Sequence, residues 1–109
     1  MSKDKFLGEF EQFVLLAILK LDEDAYGSKV RQLLSESIGR DVTIGALYTT
    51  LDRLEGKGLL QSRIGEATSE RGGRAKKYFK VTAQGQSALK RSKQALHSLW
   101  KGLALKAVH

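Results

Sequence analysis

Two stretches, Thr43 to Leu60 and Gly72 to Gly85, constrain this chain more than any other part of it. In the first, Thr43 can accept from the free N–H groups of a first helical turn. Leu47, Leu51 and Leu54 then recur at i, i+4 and i+7, and Gly56 and Gly58 end the helix just before a short apolar run, Leu59-Leu60. The second stretch begins with Gly72-Gly73-Arg74, runs through Ala75-Lys76-Lys77-Tyr78-Phe79-Lys80-Val81, and reaches a second capping threonine at Thr82. Leu59 to Ile64 therefore predicts a strand and Ala75 to Val81 its partner. Gly65 to Arg74, rich in Gly, Ser, Thr and charge, forms a tip too polar to pack.

The rest of the chain reads as helices. Phe6, Phe10, Phe13, Val14, Ala17, Ile18 and Leu21 form an apolar stripe for a first helix ending near Lys20, followed by a polar turn at Asp22-Glu23-Asp24. A second helix is predicted from about Tyr26 to Ser37, with Val30, Leu33 and Leu34 inward and Gly39 at its C-terminal stop. Val42 is placed to dock apolar surface before the third helix. The last helix starts at Thr82 and is predicted to run to about Lys106, with Leu89, Leu96 and Leu103 spaced by seven and Ala88, Ala95, Leu99 and Trp100 widening the stripe. That is more apolar surface than a small domain can cover, so the helix is expected to pair with a second copy. The predicted fold is mainly α with a small β-hairpin: a winged helix-turn-helix over 1–82 and a C-terminal dimerisation helix over 83–109, packed with helix 1 as one unit.

Charge points to the partner. Residues 1–70 carry 9 Lys/Arg against 12 Asp/Glu, a net of −3, whereas residues 71–109 carry 10 Lys/Arg and no acid. A one-sign block calls for an anionic partner, or for a fold that lays acidic parts of the chain beside it. Nucleic acid is the commonest such partner; a plain solvated basic face is the alternative. The chain has no cysteine, hence no disulfide or thiolate ligand, which fits a reducing compartment. Its longest apolar run, Phe13 to Leu19, falls far short of the ~20 residues of a membrane span. Asp4, Glu9 and Glu11 are unlike a signal peptide, so a cytoplasmic protein without a membrane partner is expected.

Catalysis finds little support. His97 and His109 have no carboxylate at triad or metal-ligand spacing, Gly72-Gly73 is too short for a phosphate loop, and Glu9/Glu11 and Asp22/Asp24 fall on an exposed helix face or a turn. No catalytic residue, cofactor or metal is expected. A helix-turn-helix instead presents its second helix to a major groove, N-terminal residues first. Here Thr43, Gly45, Ala46, Thr49, Thr50 and Arg53 can face out. Small residues at 45 and 46 admit close backbone approach, and threonine suits thymine methyls, bases or phosphates. Tyr48 has two readings, a hydroxyl on a phosphate or a ring packed against helix 2. Arg53, late in the helix, suits a phosphate or simple solvation. Arg71 and Arg74 at the tip suit the minor groove or backbone, unless the tip is merely a soluble loop. Lys76 and Lys77 follow, and strand alternation forbids both from facing DNA. Phe6, Phe10, Leu89, Leu96, Leu99, Trp100 and Leu103 are the expected dimer interface. Trp100, with Phe10 and Phe13, could alternatively wall a site for a flat aromatic effector.

The same residues carry a family resemblance. Ala25-Tyr26-Gly27 after helix 1; Gly45-Ala46-Leu47-Tyr48, Leu51, Arg53-Leu54-Glu55 and Gly58-Leu59; and Gly73-Arg74, Lys77-Tyr78, Val81-Thr82 and Gly85, in that order and spacing, resemble the PadR family of bacterial transcriptional regulators. The resemblance covers most of the chain. It implies a homodimeric winged-helix repressor binding a pseudo-palindromic operator, with paired terminal helices, similar to the short subfamily. Some members of that subfamily bind flat aromatics through a tryptophan on the last helix, about where Trp100 falls. Ala75 stands where a proline is common, and Phe79 replaces a common second tyrosine. Two other functions compete: a winged-helix protein-interaction module whose basic tail docks an acidic partner, and a membrane-surface helix made by that basic, amphipathic tail.

Overall fold

The computed structural model describes residues 6–65 and 75–105. Along the chain run α1 (Glu9–Leu21), a single 3-10 turn (Asp22–Asp24), α2 (Gly27–Ile38), α3 (Ile44–Gly56), β1 (Leu60–Ile64), β2 (Lys77–Val81) and α4 (Ala83–Trp100). This is the expected winged helix-turn-helix with a helix after the hairpin. The hairpin tip, including Arg71 and Arg74, lies outside the described residues.

Each helix end has an identifiable stop. Gly8 starts α1, and its N–H donates to Glu11 Oε1 at 3.0 Å. Gly39 closes α2 in the left-handed region (φ 67°), its N–H on Ser35 O at 3.0 Å and the N–H of Arg40 on Leu34 O at 3.1 Å. Thr43 caps α3 through its side chain, which accepts from Ala46 N–H at 3.1 Å; such a cap is worth ~1 kcal/mol. At the far end Gly58 (φ 80°) turns the chain, so that the N–H of Leu59 reaches Leu54 O at 3.0 Å. Thr82 accepts from Gly85 N–H at 3.0 Å to start α4, and donates its own hydroxyl proton to Gly58 O at 2.7 Å.

Leu47, Leu51 and Leu54 of α3 are fully buried against Val14, Leu15 and Ile18 of α1, Val30 and Leu34 of α2, and the inner face of the hairpin. The antiparallel hairpin pairs Leu60 with Val81 and Ser62 with Phe79, and Leu60, Phe79 and Val81 point into the core. The N–H of Phe79 donates to Ala25 O at 2.8 Å, and Tyr26 bridges Tyr78, so the segment before α2 lies along the free edge of β2.

Three expectations need correction. The apolar stripe chosen for helix 1 omits Leu15, which is fully buried; the run Phe13 to Leu19 is apolar on every side, and periodicity alone cannot select its inner face. Thr50, expected outward, is buried beside Leu47 and Leu51. The last helix ends at Trp100 instead of near Lys106: Lys101 is extended (φ −55°, ψ 131°) and Gly102 is left-handed (φ 81°). Leu103 therefore lies beyond the helix, and its seven-residue spacing from Leu96 places it on no helical stripe.

Glu11 ties α1 to α3 as well as capping its own helix. Its Oε2 receives Lys57 Nζ at 3.0 Å and faces Arg53 Nε at 3.5 Å. Partial burial acts to raise its pKa, but the Gly8 N–H, Lys57 and Arg53 outweigh it and hold the carboxyl below its ordinary 4.5. A depressed carboxyl contributes stability above its unfolded pKa and loses it as pH falls through the folded value. Melts of the parent chain and Glu11→Gln should thus differ most at neutral pH and converge below pH 4.5. Gly85 is a second pressure point, because a Cβ there would collide with the Leu59 carbonyl and Val81 Cγ1. Gly85→Ala should cost about 1–3 kcal/mol by overpacking, read as a lower melting temperature.

Candidate nucleic-acid interface

The outward face of α3 starts at its cap. Thr43, Gly45, Ala46 and Thr49 are all exposed, opposite the buried leucine stripe. Among the described residues a Cβ built on Gly45 would meet nothing within 4 Å, so no packing need among them explains a glycine there. The absent side chain instead leaves a shallow spot where another backbone can approach closely. Thr49 donates its hydroxyl proton to Gly45 O at 3.0 Å, which fixes its rotamer and leaves its oxygen free to accept. Asp52, also exposed, continues this row by one turn. Among the described residues no cation is ion-paired with it. Sequence reasoning passed over Asp52 because charge totals over long segments hide one acid on a helix face.

Two glutamates fasten the flanks of this helix. Towards α1, Glu11 receives Arg53 and Lys57 as described above. Arg53 Nη2 also reaches Thr50 Oγ1 at 3.5 Å, so Arg53 is neither simply solvated nor unengaged. Towards the hairpin, Glu55 accepts from Ser62 Oγ at 2.8 Å and lies 4.0 Å from Lys77 Nζ. The i, i+4 spacing of Arg53 and Lys57 was visible in the sequence; their shared partner 42 residues upstream of Arg53 was not.

Tyr48 resolves towards packing. Its ring meets Phe79 edge-on at 6.2 Å, and its hydroxyl lies 2.5 Å from where a Cβ on Gly27 would be. A glycine at the start of α2 is what admits this ring. Phe79 is itself buried, so the missing tyrosine hydroxyl leaves the outer face of the hairpin unchanged.

At the tip-side end of the hairpin strands, cations sit on aromatic rings. Lys76 Nζ is 4.7 Å from the Tyr26 centroid and Arg63 is 4.6 Å from Tyr78, while the two tyrosines meet edge-on at 5.4 Å. Lys77 lies instead near Glu55 and Phe79, so the adjacent lysines have different neighbours, as alternation requires.

The expected dimer and effector residues divide into two groups. Leu96, Leu99 and Trp100 on α4 are 52%, 75% and 51% exposed, and Phe6 and Leu103 are exposed as well. Leu89 and Phe10 pack against the core. Arg40 covers Phe10 at 4.7 Å and Phe13 at 6.0 Å, and Phe13 lines a cleft between α1 and α2. A different apolar cleft, between α1 and α4, is lined by Leu16, Leu19, Leu89 and Leu96. Neither of these clefts brings Trp100 together with Phe10 or Phe13 within one chain. Among the described residues there is no cluster of three potential metal ligands, and no helix is long and apolar enough to cross a membrane.

This geometry has known counterparts. The model of the PadR-like transcriptional regulator family matches residues 15–91. The transcriptional regulator Rv3488 of Mycobacterium tuberculosis is 37% identical over 78 residues, covering 72% of this chain and 68% of that protein. A PadR-like transcription factor structure from Bacteroides fragilis superposes with a TM-score of 0.68 at 32% identity, covering 83% of this chain and 82% of the other. A PadR family regulator from Clostridium difficile shares the fold with a TM-score of 0.69 at 24% identity, covering 86% and 93%. These proteins regulate transcription and are not enzymes. With its α3 presented beside a hairpin and its match spanning most of the domain, the chain belongs to the PadR-like family of transcriptional regulators.

Proposed function

We propose that this regulator is a homodimeric, sequence-specific repressor that reads double-stranded DNA through α3. The carrying observation is the outward row Thr43, Gly45, Ala46 and Thr49, exposed, small and not required by packing, on a helix clamped from both sides. Thr49 and the cap end of α3 face base edges, and Lys76 with the hairpin tip residues Arg71 and Arg74 grips flanking phosphates. Tyr48 supports α3 from within. Two-fold symmetry sets half-sites about one or two DNA turns apart, ~10 or ~20 bp.

The dimer reading rests on α4. Leu96, Leu99 and Trp100 are exposed at its C-terminal end, and Leu96 shares an apolar cleft with Leu16 and Leu19 of α1, which are 48% and 40% exposed. A second copy of this chain would cover them. Within such a dimer Trp100 is available to stack on a flat aromatic effector. Effector binding would favour a separation of the two α3 helices that no longer matches the operator. The protein-interaction and membrane-surface readings have no comparable feature in their favour.

Fluorescence anisotropy on the DNA upstream of its own gene, with excess random duplex, tests the function. Binding should survive the competitor and weaken steeply with salt, and Thr49→Ala should reduce the operator-to-random ratio; no binding at low salt would move the assignment to a protein partner. Leu99→Glu should halve the mass seen in sizing and shift Trp100 emission to the red; an unchanged mass removes this dimer interface. An aromatic compound that alters neither Trp100 emission nor DNA affinity removes itself as effector, and failure across flat aromatics removes the effector step.

A further inference from the structure

Arg53 and Lys57 stand one helical turn apart on the flank of α3 that faces α1, beside the outward row containing Gly45 and Thr49. One carboxylate oxygen, Glu11 Oε2, receives both: Lys57 Nζ at 3.0 Å and Arg53 Nε at 3.5 Å. The other oxygen is held by the Gly8 N–H at 3.0 Å. The Glu11 side chain is only 12% exposed, whereas those of Arg53 and Lys57 are 50% and 49% exposed. A fixed, sheltered anion thus restrains two cations whose other sides are open to solvent. Drawing both cations onto the phosphates of a duplex along α3 would leave this sheltered carboxylate without its partners, a cost that offsets part of each phosphate contact.

We propose that Glu11 is a positioning residue that restrains sequence-independent DNA affinity: it draws Arg53 and Lys57 towards α1 and so keeps them from adding phosphate contacts beside the reading face of α3. The proposal rests on the DNA-binding reading of that helix. Phosphate contacts strengthen binding to every sequence alike, whereas base-edge contacts discriminate. Two cations withheld from phosphates lower the affinity for operator and random DNA alike and leave the base-edge contribution of Gly45, Ala46 and Thr49 intact. The ratio that separates operator from random DNA is therefore unchanged, while the overall affinity and its salt dependence are lower.

Glu11→Gln tests this directly, because the amide keeps the shape and can still accept from Gly8 N–H while losing the charge. Affinity for operator and random duplex is measured across a salt series, with folding checked by circular dichroism. Binding to random and operator duplexes should tighten together, the log–log salt slope should steepen by about one to two, and the operator-to-random ratio should stay that of the parent chain. Adding Lys57→Gln to Glu11→Gln should reverse about one unit of that steepening. A folded Glu11→Gln protein with unchanged or weaker random-duplex binding overturns the proposal. So does Lys57→Gln in the parent chain, which needs no change at Glu11, if it lowers the parent's own salt slope by about one. If the parent binds no duplex at low salt, the DNA reading itself fails and the proposal falls with it. If the parent binds and Glu11→Gln matches it, only the proposal falls.

Discussion

The turn at Gly58 holds the domain together. There α3 stops, β1 begins, β2 returns and α4 starts, all within a few ångströms. Gly58 takes the left-handed conformation that lets Leu59 N–H reach back to Leu54 O. Thr82, at the end of the return strand, donates its hydroxyl to Gly58 O and its N–H to Leu59 O, while its side-chain oxygen caps α4. Gly85 has no Cβ, so the first turn of α4 can lie against the Leu59 carbonyl. One threonine and two glycines thus join α3, the hairpin and α4.

The second constraint is electrostatic and acts on both flanks of α3. Glu55 fastens the hairpin through Ser62 and Lys77, and Glu11 fastens α1 through Arg53 and Lys57. Individually, such exposed pairs contribute little stability. Their effect is to restrict the orientation of a helix already seated on Leu47, Leu51 and Leu54, and a helix held before it meets its partner loses less entropy on binding. Stability comes from the leucine stripe, while the outward row owes its definition to the carboxylates.

Much of this was legible residue by residue. Thr43 and Thr82 announced the starts of α3 and α4, and Gly39 and Gly58 the ends of α2 and α3, because caps and left-handed stops are local chemistry that needs few neighbours. The spacing of Leu47, Leu51 and Leu54 marked an inner face that the structure buries completely. Where the local signal was degenerate, the reading failed. Leu15 lies in a run apolar on every side, Thr50 is equally at home inside or outside, and Gly102 interrupts a stripe that continues on paper to Leu103. The site was half legible: Gly45, Ala46 and Thr49 were visible as small outward residues, but nothing local revealed that Arg53 is held by Glu11 or that Tyr48 rests over Gly27.

By itself, then, the sequence determined the order of the helices, the starts of α3 and α4, the ends of α2 and α3, the hairpin, the leucine face of α3 and the segregation of positive charge towards the C-terminal end. Each follows from periodicity, capping or composition within about one helical turn. Tertiary structure alone decided which carboxylate meets which cation, which face of α1 is inner, and that the tyrosine of α3 supports the fold. Those outcomes depend on distances between residues far apart in the chain, such as Glu11 and Lys57, which only the packed leucines bring together.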